Sequence, residues 1–152
     1  MAVVETNSDL IHDYLDSTST PPDPQLARGR TVTATGTVAN AASDSSGSTY
    51  HLADLPSDCI LQPGTSFDVQ NDGFAQISIG TKSDTTALVN QLKTAGNTIT
   101  PIAFGDANHG KYLWEVLGLA SDPGGMIGIY KHAAAGAAGA GSMPFVFSYL
   151  TA

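Results

Sequence analysis

The groups in this chain that could move a proton, attack a carbonyl or hold a metal are few: four histidines, one cysteine and fourteen carboxylates in 152 residues. His12, His51, His109 and His132 are scattered, and no His-x-x-x-His pair exists for one helical face to offer a metal. Asp106 and His109 stand three apart and could supply two ligands, but a polar loop accounts for the pair equally simply. Asp68 to Gly73 begins like a calcium loop, yet Ile79 stands where the bidentate Glu belongs. Cys59 sits in an apolar run with Ile60 and Leu61 and has no neighbouring His, so it is expected as a buried small hydrophobe. Being alone, it makes no internal disulfide. No Gly-x-Ser-x-Gly elbow occurs, and Asp54 and Asp58 flank Pro56 as turn-forming residues do. Gly136, Gly139 and Gly141 have the wrong spacing for a dinucleotide fingerprint and precede a strand. The reading is a protein that is not an enzyme, with no catalytic, cofactor-binding or metal residue assigned. Trp114, Tyr112, Tyr50 and Tyr130 keep a glycan-binding module open as an alternative, although Trp114 lies within a short helical pattern and is expected in the core.

Those sparse groups sit in a chain poor in charge altogether. Six basic and fourteen acidic residues make 13% of the sequence, against about a quarter usually, and leave a net charge of −8. Such a surface repels phosphate backbones and anionic lipid, so neither nucleic acid nor membrane is expected as a partner. No apolar run approaches the ~18 residues of a membrane span, and the first residues lack the basic flank and apolar core of a signal peptide. Gly, Ala, Ser and Thr replace the missing charge. Small, uncharged, β-prone surfaces suit a protein that packs against its own copies or a larger assembly.

The elements that must position these residues are mostly strands. Residues 1–29 read as an extended arm: Leu10, Ile11, Tyr14 and Leu15 form a short apolar stripe, and Pro21, Pro22 and Pro24 favour extended backbone. Thr31–Val38 alternates cleanly, with Thr on one face. Further strands are expected over 48–55, 59–62, 66–69, 74–80, 98–104 and 126–131. Asn71-Asp72-Gly73 reads as a hairpin turn. A helix is expected from Ser83 or Asp84 to Gly96, with Leu88 and Leu92 paired at i,i+4, and a short one over 111–117 with Gly118 closing it. The Ala/Gly run 133–141 reads as a flexible loop or close-packed crossover. Met143–Leu150 is apolar on both faces, as in a central strand or one at a subunit contact. Many short strands with Gly/Pro punctuation point to a β-sandwich or barrel spanning 30–152.

Three stretches carry a resemblance. They are Gly47–Ile60, with its Leu55-Pro56-Ser57 corner; Leu113–Leu119 followed by Asp122-Pro123; and Met126–Tyr130, a small-residue loop and Gly141–Tyr149. Together they are similar to the decoration, or cement, proteins of tailed-bacteriophage capsids. The resemblance implies a mainly β, jelly-roll-like sandwich with one or two short helices and an extended N-terminal arm. It also implies a virion structural protein, made in the host cytoplasm, that self-associates as a trimer and braces the outside of the major capsid protein shell. Pro21, Pro22, Pro24 and Leu26 of the arm, with Phe145, Phe147 and Tyr149, are the expected partner-binding residues. A tail or neck component is the remaining alternative.

Overall fold

The computed structural model describes residues 2–152; Met1, the first residue of the expected arm, lies outside them. The protein is mainly β, with two antiparallel sheets facing each other as a β-sandwich and two short helices. In chain order the elements are α1 (Pro24–Arg28), β1 (Arg30–Asn40), β2 (Thr49–Pro56), β3 (Ile60–Leu61), β4 (Ser66–Asp68), β5 (Gln76–Gly80), β6 (Val89–Leu92), β7 (Thr98–Ile99), α2 (Leu113–Val116), β8 (Met126–His132) and β9 (Gly141–Thr151). One sheet runs β1-β9-β4-β7, with β3 also on β9; the other runs β2-β8-β5-β6. The pairing is nested: β1 with β9, β2 with β8, β4 with β7, β5 with β6. The chain is thus one long hairpin, folded over so that successive pairs fall in opposite sheets.

β9 is the central strand, as its two-sided apolarity predicts. It pairs with β1 along eleven consecutive positions and with β3 and β4 on its other edge. The gap between β3 and β4 is bridged by a side chain. Thr65 is fully buried, and its hydroxyl donates to Ser148 O at 2.9 Å and accepts from Ser148 N–H at 3.0 Å. A hydroxyl therefore stands in for a missing rung of the ladder. Met143, Phe145 and Phe147 alternate along β9 and enter one core with Phe67 and Ile99 of their own sheet, with Val69 just past β4, and with Leu55, Ile77, Ile79 and Ile129 of the other. At Gly36, opposite Phe145, a Cβ would lie 2.8 Å from the Phe145 ring, so glycine gives that ring its place.

Four expectations are corrected. Phe145 and Phe147 are 8% and 0% exposed, so they are core residues of their own chain and not partner-binding ones; Tyr149 is half-buried against the same core. The helix over 84–96 is absent. Val89–Leu92 instead pairs with β5, placing Val89 opposite Ile79, because β5 offers an edge and β-branched Val89 fits it, while Thr85 and Thr86 lie in the turn before the strand. Asn71–Gly73 makes no hairpin: β4 and β5 belong to different sheets, no residue there has positive φ, and Asp72 turns inward to a buried partner. Of the strand expected over 98–104 only Thr98–Ile99 forms, on a sheet edge, ahead of Pro101.

Candidate interaction surface at one end of the sandwich

The nested fold gathers the connections at two ends. At one end lie the loops 41–48, 69–75, 93–97 and 133–140, zipped by backbone bonds such as Gly47 N–H to Ala133 O, Ala138 N–H to Gly73 O and Val69 N–H to Asn97 O. The run 133–141 is thus a crossover between the sheets, tied through its backbone at Ala137 and Ala138 while most of its side chains stay exposed. At the other end lie the arm, the 57–59 corner and the long connection 100–125. Exposed large apolar residues concentrate there: Val3, Val4, Leu10, Ile11, Tyr14, Leu15 and Leu26 on the arm, with Phe104, Leu119 and Met126 on or beside the connection. Among the described residues only Leu92 stands outside this set. Exposed apolar side chains grouped this way are the candidate interaction surface.

The arm is clamped where it meets the body. Asp23 caps α1, accepting Gln25 N–H at 2.8 Å, and Pro24 follows at the first helical position, where its missing N–H is no loss. Gln25 is the buried residue of that helix. Its Nε2 donates to Asp58 O at 2.8 Å and to Leu150 O at 2.9 Å, tying α1 to the corner and to β9. Gly29 lies so close that a Cβ would fall 2.2 Å from Gln25 O. The Tyr112 hydroxyl donates to Asp23 Oδ2. That bond is the first cause holding Asp23 below the usual carboxylate range, and the first cause pushing Tyr112 up to about 12. Tyr112 in turn begins α2, its N–H donating to Glu115 Oε2 at 3.0 Å, while Leu113 N–H reaches Cys59 O at 2.7 Å. Arm, corner and α2 therefore form one fastened unit. The arm that projects is 2–22, and the body starts at Asp23 rather than at residue 30.

Of the expected arm residues, Pro21, Pro24 and Leu26 are exposed and Pro22 is half-buried. The four aromatics considered for glycan stacking do not share a platform. Tyr112 bonds Asp23, Tyr50 bonds Asp44 at 2.5 Å, and Trp114 is half-buried on α2. Tyr130 stacks on His51 with centroids 4.4 Å apart, and His51 Nε2 lies 2.8 Å from Asp54 Oδ1. Cys59 is fully buried, and burial is the main cause pushing its thiol up to about 12. The Asp106 carboxylate accepts from the Ala103 and Asn108 N–H groups and organises a polar turn. Nothing in the sequence pattern singled out Gln25; a polar residue two positions after an Asp-Pro cap was its only signal.

Comparison with models of protein families, with curated proteins and with solved structures finds no match to this chain. Its functional reading rests on its own residues.

Proposed function

We propose that this chain is a non-enzymatic virion protein that decorates a capsid shell: the sandwich body self-associates as a trimer and the arm grips the major capsid protein. The observation that carries the reading is the segregation of exposed apolar side chains onto an arm fastened to a rigid body through Gln25 and Asp23. An arm with Val3, Val4, Leu10, Ile11, Tyr14 and Leu15 in water gains by burying them on a neighbour, and that gain must exceed the cost of ordering it. The nested strand order supports a jelly-roll description, an architecture that recurs in viral capsid domains. Fold analogy alone carries no function. A second surface suits self-association. β1 ends its sheet, is eleven residues long, and has no Lys, Pro or register break to protect its open edge. Several weak contacts per trimer would add by avidity.

Cryo-EM of particles assembled with the full chain, and with a chain lacking residues 2–22, tests this. Trimeric density on the outer shell that vanishes with the arm is the expected result. Absence from the shell surface, or a hexameric or dodecameric ring at the neck, would overturn it. Retention on a glycan array instead would point to a lectin.

A further inference from the structure

Among the described residues Lys131 is the one Lys or Arg that is buried, 1% exposed, and it lies on the inward face of β8 in step with Ile127 and Ile129. Its Nζ donates to Oδ1 of Asp72, itself 3% exposed, across fifty-nine positions of sequence. The Phe74 ring centroid is 4.9 Å from Nζ and the Tyr50 centroid 5.4 Å, so two aromatic faces close the site to water. Asp72 is fixed from all sides. Phe74 N–H donates to its Oδ2 at 3.3 Å, Lys93 Nζ to its backbone O at 2.5 Å, and Asn40 Oδ1 accepts the following Gly73 N–H at 3.1 Å. A Cβ at Gly73 would lie 2.2 Å from Gly139 O and one at Gly141 2.3 Å from Asn71 O, so both glycines allow this packing. A surface hollow lined by Asp72, Phe74, Leu92, Lys93 and Ala138 reaches the same residue.

An amine and a carboxyl held in contact in a dry site have an effective concentration far above any in solution. We propose that Lys131 Nζ and Asp72 Cγ join as an amide, an internal cross-link that the folded chain makes from its own side chains. One ammonium proton passes to Oδ1 along the existing hydrogen bond. The nitrogen lone pair then attacks Cγ, forming the Nζ–Cγ bond, and charge moves to Oδ2, where the Phe74 N–H stabilises it. A second proton moves from nitrogen to Oδ1. The Cγ–Oδ1 bond breaks, Oδ1 leaves as water through the hollow, and Oδ2 becomes the amide carbonyl. Ammonium and carboxylate give one amide and one water, so no oxidant or external proton is needed. Burial, the largest influence, lowers the Lys131 pKa and the Lys93 charge adds to this, while the Asp72 hydrogen bond opposes it; the net direction favours the uncharged nucleophile. The product ties β8 to the β4–β5 connection, the loop that crosses from one sheet to the other. It does not depend on the shell-binding reading.

Intact mass of the purified, denatured full chain tests it. The expected mass is about 18 Da below that of the sequence, one water lost. Tryptic digestion should yield a branched peptide joining the segments that hold Asp72 and Lys131, and Lys131→Arg should restore the full mass. A wild-type chain of full mass would overturn the proposal. So would an equal loss without a branched peptide, or one that persists in Lys131→Arg, since a cyclic imide at Asp72-Gly73 gives the same mass.

Discussion

Thr65 completes a sheet with a side chain, and its loss tests how much one hydroxyl contributes there. Thr65→Val keeps the shape but leaves Ser148 N–H without its partner between β3 and β4. A buried donor left unsatisfied costs about 1–3 kcal/mol, so the urea midpoint should fall accordingly with the slope unchanged. Thr65→Ser retains the hydroxyl and should recover most of that loss. The tyrosine that meets Asp23 offers a second test, by pH. Asp23 is held below its ordinary 3.8, first by the Tyr112 hydroxyl. Its contribution is therefore present above 3.8 and is lost as pH falls through the lower folded value. Tyr112 is raised from 10.0 to about 12, so its contribution is present below 10.0 and is lost as pH rises through about 12. The stability difference between the wild type and Tyr112→Phe should be flat across neutral pH and shrink at both extremes. A difference that instead changes around neutrality would place the coupling on another group. Neither Thr65 nor Asp23 announces its partner in sequence, because Ser148 and Tyr112 are brought to them only by the fold.

β1 is legible in the sequence because it alternates cleanly over Thr31–Val38, β9 because it is apolar on both faces, and β2 and β8 because each is a run of seven or more β-prone residues bounded by Gly or Pro. Short elements are not. Leu88 and Leu92 have helical spacing, but Leu88 N–H bonds Ile79 O at 2.9 Å and the segment becomes a strand, since pairing with β5 outweighs a two-residue pattern. The turn at Asn71–Gly73 fails for a related reason: burial of Asp72 on Lys131 is a long-range demand that no local turn preference reveals. β1 shows a different limit. Its pattern predicts a half-buried strand, and it is one in form, yet Ala34 on the inward side is exposed because the strand ends its sheet. That edge is where self-association is expected. Thr33→Lys with Thr35→Lys adds charge to exposed positions, so stability should change by no more than about 0.5 kcal/mol while mass photometry shifts from trimer to monomer. An unchanged oligomer would move the interface off β1. At the hinge of the arm, Gln25→Ala leaves the Asp58 and Leu150 carbonyls without their donor. Proteolysis across 20–30 should accelerate while cleavage within the strands does not.

On the scale of the whole molecule, composition shows the division of labour and topology explains it. The arm is legible from its prolines; the apolar stripe of Leu10, Ile11, Tyr14 and Leu15 forms no helix and stays exposed. That it is fastened at Asp23 and Gln25, opposite the zipped loop end, follows from the nested pairing, which brings residues at opposite ends of the sequence side by side. A body with its own continuous core does not need the arm in order to fold. Residues 2–22 expose their apolar side chains, and the described hydrogen bonds of 8–19 are made within that segment. The buried anchor begins only at residue 23, with Asp23 and Gln25 still in place after truncation. Removing 2–22 should therefore leave the thermal midpoint of the isolated protein within about 2 °C, because a change below ~0.5 kcal/mol moves a domain of this size by no more than that. Solubility should rise as Leu10, Ile11, Tyr14 and Leu15 leave the surface. Binding to shells should fall by at least tenfold, the effect of losing even 1.4 kcal/mol of burial. A large drop in thermal midpoint would instead make the segment part of the core, and unchanged shell binding would transfer the grip to Phe104, Leu119 and Met126 on or beside the 100–125 connection.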